Sequence, residues 1–137
     1  MRFMIMVRAN ARSESGAMPE AGWLAAMAAY HDELSRSGVL LDANGLKPSS
    51  EGWRVRYSKG TRTIVDGPFA ETKELIAGYT LIQVRSRDEA LEWARRFPAP
   101  FGEASDGEIE VRPLLELEDF EPSEAIERMR ELEASRR

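Results

Sequence analysis

The sequence predicts an α+β domain, and three observations carry that expectation. Short runs of alternating apolar residues and longer runs with helical spacing are both present. The two kinds of run are interleaved as strand, helix, strand, hairpin, strand, helix, strand, with one further helix at the end. The chain has 137 residues, the size of one domain that can bury a core without disulfides, and it has no cysteine. That order reads as a ferredoxin-like sandwich, two helices packed on one face of a sheet, with an extra C-terminal helix.

RFMIMVR (2–8) sets Phe3, Ile5 and Val7 on one side and Met4 and Met6 on the other, the pattern of a strand buried on both faces. ARSESGAMPE reads as a polar loop, with Pro19 suited to the first turn of a helix. That helix runs to Ser37 and stops at Gly38, and its stripe is Trp23, Leu24, Met27, Tyr30 and Leu34. VLLDANGL (39–46) is a short strand. WRVRYS (53–58) and TRTIV (61–65) alternate and are joined by Lys59-Gly60, a two-residue hairpin signal.

GYTLIQV (78–84) is again apolar on both faces. Ser86 and Glu89 have the spacing of a capping box, opening a helix that turns Ala90, Ala94 and Phe97 inward and ends before Pro98. IEVRPLLEL is the last strand, and PSEAIERMRELEASRR a helix with Ala125, Met129 and Leu132 as its stripe. Two helices cover only one sheet face. The other is expected to be covered by a second copy, with Phe3, Ile5 and Val7 or their alternates contributing, or by the C-terminal helix.

Charge and motifs narrow the function classes. Residues 116–137 hold 8 acidic and 4 basic side chains, which is −4 of the net −5, so the body is nearly neutral. Direct nucleic-acid binding needs a basic field, and the cluster Arg54, Arg56, Lys59 and Arg62 reads as a solvated hairpin face. The N-terminal apolar run of five residues is too short for a membrane span, so the expectation is a cytoplasmic protein without membrane association. One histidine and no cysteine give no metal site, and no phosphate loop, nucleophile elbow or dinucleotide fingerprint is present. No cofactor is expected.

The strings MRFMIMV, GVLLDANGLKPS, VDGPFAETKELIAGYTLIQV, EALEWARRFPAPFG and IEVRPL resemble, in order, the DGPF-domain proteins of the YCII-related family. The resemblance covers residues 1–120, leaving 121–137 as a helical extension. It implies a ferredoxin-like unit that pairs into a dimeric α+β barrel. Related barrels include enzymes acting on small aromatic or lactone-type molecules, which points to a small-molecule ligand and to proton-transfer or lyase-type chemistry. DGPF-domain proteins are also encoded beside extracytoplasmic-function sigma factors, which leaves a non-enzymatic accessory role in that pathway as the alternative. Another branch of the family carries a His–Asp pair with its histidine in the first helix. Counting back from VLLDANG, that position is Met27, one turn before His31, so the resemblance transfers no catalytic role to His31.

The residues themselves nominate candidates. His31, the only histidine, borders the apolar stripe and is the side chain best suited to proton transfer near neutral pH, with Asp42 as its carboxylate partner. Asp66, in the string DGPFAETKE, is a candidate base or ligand-binding carboxylate, with Lys73 nearby to hold an anion. Residues 66–69 are expected to leave the strand as a tight turn. Asp66 would accept from backbone amides within it, and Phe69 would pack inward at the rim of a cleft facing the first helix. Tyr79, with Tyr30, Trp23 and Trp53, is a candidate for an aromatic lining.

Overall fold

The computed structural model describes residues 1–136. Along the chain the elements are β1 (Arg2–Arg8), α1 (Ala11–Glu14), α2 (Ala21–Arg36), β2 (Leu40–Gly45), β3 (Trp53–Ser58), β4 (Thr61–Asp66), β5 (Ile76–Gln83), α3 (Arg87–Arg95), β6 (Ile109–Pro113) and α4 (Glu124–Ser135). Four strands form an antiparallel sheet in the order β2-β5-β1-β6, and β3 pairs only with β4. No helix among the described residues is long and apolar enough to cross a membrane.

Register explains which residues become core. Phe3 lies opposite Ile82, Ile5 opposite Thr80 and Val7 opposite Gly78, so these pairs share one sheet face. α2 and α3 cover that face. Tyr30 and Leu34 from α2, with Ala90, Trp93 and the following Phe97, join the β1 and β5 residues in one cluster. Ile5, Leu34 and Ile82 have 0% of their surface exposed, and each such side chain contributes roughly 1.5–3 kcal/mol by leaving water. The Tyr30 hydroxyl, at the centre of this layer, donates to the Trp93 carbonyl at 2.7 Å, and burial pushes its pKa upward.

Local signals account for most boundaries. Gly38 follows α2 at φ 74°, the left-handed position expected just past a helix end. Lys59 and Gly60 both take positive φ, the geometry of a two-residue hairpin turn. The Ser86 side chain accepts from the Glu89 backbone N–H, capping α3. Several expectations are corrected. Residues 11–14 form a helical turn, because the Asn10 and Ser13 side chains cap one another's backbone. α2 begins at Ala21, after Pro19. Trp93 is buried in α3 while Ala94 is only half-buried, and the final strand ends at Pro113. In α4 the buried residue is Ile126, whereas Ala125, Met129 and Leu132 are exposed. The expected extension of this helix to Arg137 lies outside the described residues.

The second sheet face has a partial cover from the chain itself. Arg2 sits on it by alternation. Arg2 Nε donates to Glu116 at 3.0 Å, and its guanidinium lies 3.9 Å from Glu133 of α4. This holds the C-terminal segment against that end of the face. The pairing lowers the Glu116 carboxyl pKa, chiefly through the hydrogen bond from Arg2. Met4, Met6, Tyr79 and Leu81 on this face are half-buried. Phe3, Ile5 and Val7 belong to the chain's own helix-side core and are not available to a second copy.

Candidate ligand cavity

The helix-side core is tight near Leu34 and opens toward the other end of α2. There a cavity of ≈ 640 Å³ lies between α2, the 12–20 segment, β5 and the chain leaving β2. Its size falls in the range of small-molecule sites. Trp23, Leu24, Met27 and His31 line it from the helix, and Phe97 and Phe101 add aromatic surface to the lining. The spacing 23, 27, 31 places those side chains in one row along the helix. Phe101 takes φ 66°, a left-handed conformation unusual for a bulky residue.

The polar group on this wall is a fixed pair. His31 Nδ1 lies 2.8 Å from the Met27 carbonyl, and Nε2 lies 2.8 Å from Thr80 Oγ1. A carbonyl only accepts, so Nδ1 carries the proton. In the neutral ring Nε2 therefore accepts from the Thr80 hydroxyl. Thr80 is 2% exposed, and Phe97 meets the imidazole edge-on at 6.4 Å between ring centres. Orientation and tautomer are thus set by three neighbours. A second polar group belongs to the same helix about two turns earlier: the Trp23 indole N–H is buried and meets no acceptor among the described residues. Leaving such a donor unmade costs about 1–3 kcal/mol.

The cavity walls are tied together at Ser49. The Glu14 carboxylate accepts from the Ser49 backbone N–H at 2.8 Å and from the Ser49 hydroxyl. Ser49 Oγ in turn accepts from the Phe69 N–H at 3.0 Å. Glu14 belongs to α1, whose Arg12 and Ser13 line the cavity, and Ser49 follows the wall residues Leu46, Lys47 and Pro48. Residues 66–69 support that wall from behind. The Gly67 N–H donates to the Gly52 carbonyl at 3.0 Å, and the Gly67–Pro68 peptide is cis. A Cβ on Gly67 would lie 1.9 Å from the Ser49 carbonyl oxygen, so only glycine fits there. Ion pairs Arg12–Glu20 (3.2 Å) and Lys47–Glu51 (3.7 Å) place charge among the lining residues.

Of the residues nominated from the sequence, the structure brings the His31 and Trp23 side chains to the cavity, whereas Tyr79 borders it and carries its hydroxyl to the opposite sheet face. The structure does not pair His31 with Asp42. Asp42 instead accepts from the Tyr79 hydroxyl at 2.9 Å and from Asn44 at 3.2 Å. The reason is strand alternation: Thr80 faces α2, and its neighbour Tyr79 turns to the opposite face. Asp66 is exposed and does not accept the expected turn amides among the described residues. The turn's bonds run instead through Gly67 and Phe69. Phe69 is half-buried beneath the Arg54 guanidinium, 3.8 Å from its ring centre, outside the helix-side core. Lys73 is exposed. Asp66, Phe69 and Lys73 are not among the cavity-lining residues. Sequence reasoning missed Thr80, Glu14 and Ser49. A threonine in an apolar run was the only available signal for the first, and the others depend on contacts 35 residues apart along the chain.

Fold and cavity define an α+β domain with a mainly apolar site between its first long helix and its sheet. The chain belongs to the YCII-related domain family, whose model matches residues 1–118. It is also 39% identical over 88 residues to an uncharacterised protein of Rhizobium meliloti (strain 1021), an alignment covering 64% of this chain and 69% of that one.

Proposed function

We propose that the chain binds a small, largely apolar molecule in the α2–sheet cavity and that His31 accepts a proton from it. The observation that carries this reading is the His31–Thr80 pair set in an otherwise mainly apolar cavity of ≈ 640 Å³. Nε2 is the basic nitrogen. Its lone pair holds the Thr80 hydroxyl in this conformation; once that hydroxyl rotates away, Nε2 takes a proton from a bound C–H or O–H group, leaving the ligand as its anion, and the charge that forms on the ring is stabilised at Nδ1–H by the Met27 carbonyl. Substrates of the aromatic or lactone type fit this lining, and the chemistry is proton transfer or the elimination that follows from it. The Trp23 N–H is a second recognition element. It is sealed in this conformation, and a ligand acceptor reaches it when the surrounding side chains move.

The reading also includes assembly and architecture. The strand order β2-β5-β1-β6 supports a ferredoxin-like unit of residues 1–120 with 121–137 as an extension. We carry the homodimer and the barrel pairing of sheet faces as part of the proposal, in a cytoplasmic, DGPF-type protein.

A thermal-shift screen of small aromatic acids, phenols and lactones tests the site. A ligand at about 100 times its Kd adds about 2.7 kcal/mol of stability. Leu24→Trp narrows the cavity from a position that is 49% exposed, leaving the core intact. Compounds that stabilise the wild type are expected to lose their effect in Leu24→Trp. In His31→Gln they are expected to bind but not to react. Equal shifts in wild type and Leu24→Trp would place the ligand elsewhere and refute the reading.

A further inference from the structure

Thr80 is buried, yet it lines the cavity with a hydroxyl that only His31 engages among the described residues. Across the sheet it lies between Ile5 and Ala43, which offer it no side-chain partner. Its oxygen is fixed by the strand, but the O–H hydrogen turns freely about the Cβ–Oγ bond. The imidazole lacks that freedom. Its Nδ1–H is held by the Met27 carbonyl, so Nε2 is the acceptor of the neutral ring. Charge in the lining is also already matched. Its charged side chains are Arg12, Glu20, Lys47 and Glu51, all exposed, and each cation faces a carboxylate, Arg12 to Glu20 at 3.2 Å and Lys47 to Glu51 at 3.7 Å. A ligand carboxylate would gain a cation only by displacing one of these glutamates, and it would lose hydration on entering a mainly apolar lining. At Nε2 it would meet a lone pair while bringing no proton.

We propose that the cavity takes an uncharged hydroxyl compound, a phenol or an enol, and that Thr80 is a catalytic residue acting on its oxygen. The ligand O–H donates to Nε2 in place of the Thr80 hydroxyl. The displaced hydroxyl turns its hydrogen to the ligand oxygen, which accepts it. One oxygen can meet both groups because Oγ1 and Nε2 lie 2.8 Å apart. When the proton crosses, the ligand O–H bond breaks, its electron pair stays on the oxygen, and an Nε2–H bond forms. The oxyanion keeps the hydrogen bond from Thr80, which strengthens as charge builds on its acceptor. A carboxylate fails at the first of these steps, and an ether has no proton to give. The inference rests on the cavity reading above and adds to it the class of ligand and the role of Thr80.

Three probes that share one ring test this: para-cyanophenol, para-cyanoanisole and para-cyanobenzoate, titrated calorimetrically into the full chain at neutral pH. The phenol is expected to bind at least about tenfold more tightly than the benzoate, with the anisole between them. Free para-cyanophenol is mostly protonated in neutral buffer, and its phenolate absorbs at longer wavelength, so proton transfer is read directly. Bound to the wild type it is expected to show the phenolate band, and His31→Gln is expected to bind it without the band. Thr80→Val keeps the shape of the side chain and removes the hydroxyl. It is expected to bind the phenol and lose most of the band, and Thr80→Ser is expected to restore it. If none of the three compounds binds, or if Leu24→Trp leaves their binding unchanged, the cavity reading and this inference fall together. Binding that Leu24→Trp blocks, but with the benzoate as tight as the phenol or the band undiminished in Thr80→Val, overturns this inference and leaves the cavity reading standing.

Discussion

Gly67→Ala is the sharpest test of how the 66–69 turn supports the cavity wall. Gly67 is not in the left-handed region, so alanine has no intrinsic conformational penalty there. The cost is steric. The new Cβ would lie 1.9 Å from the Ser49 carbonyl oxygen and 2.7 Å from its carbon, both backbone atoms that no rotamer change can move. Relief requires the turn and the 49–51 segment to separate. Overpacking of this kind costs about 1–3 kcal/mol. Separation also weakens Gly67 N–H to Gly52 and Phe69 N–H to Ser49 Oγ, each worth about 0.5–1.5 kcal/mol. With both bonds lost the total is about 2–6 kcal/mol, which corresponds to a Tm drop of roughly 7–20 °C for a domain of this size. The assay is thermal unfolding by circular dichroism with Gly22→Ala as control. Gly22 lies in α2 with nothing within 4 Å of its Cβ position, and alanine there is expected to add about 0.5–1 kcal/mol. A Gly67→Ala protein that melts with the wild type would refute the proposed contact.

Two further predictions concern titration. Burial raises the Tyr30 pKa above its unfolded value of about 10. The folded chain therefore holds the phenolic proton more tightly, and this stability is complete below pH 10 and lost progressively as pH rises above it. Tyr30→Phe is expected to lower stability at neutral pH by about 0.5–1.5 kcal/mol through the lost bond to Trp93, and to flatten the alkaline decline in urea titrations. Glu116 has the opposite sign. Its carboxyl pKa is lowered mainly by Arg2, so its contribution is present above the ordinary carboxylate range and lost as pH falls through it. Glu116→Gln is expected to be less stable at pH 7 and to show a shallower acid decline, and an unchanged acid limb would count against the pairing.

The candidate site was only partly legible in advance. His31 stood out because it is the only histidine and borders the helical stripe. Its partner was sought among the carboxylates, because sequence shows charge and not facing. β5 turns Thr80 toward α2 and Tyr79 away, so the hydroxyl meets the ring, and Asp42 is engaged on the other side by Tyr79 and Asn44. The DGPFAETKE string leaves β4 at Asp66 as expected, but as a bend tied to Gly52 and Ser49 and not as a turn closed on itself. The contact from the Phe69 N–H to Ser49 was not legible, because it joins segments about twenty residues apart.

By itself the sequence determined the α+β class, the order of strands and helices, the Lys59-Gly60 hairpin and the stop at Gly38. These depend on local periodicity and on backbone dihedrals that a few neighbouring residues dictate. It also determined that β1 and β5 would be apolar on both faces. Only the tertiary structure decided what covers each face, which side chains meet across the cavity, and why glycine is required at 67. Those outcomes depend on register and on close approach between distant segments. A shift of one residue in a strand would turn every side chain to the other face without changing the composition that the sequence displays.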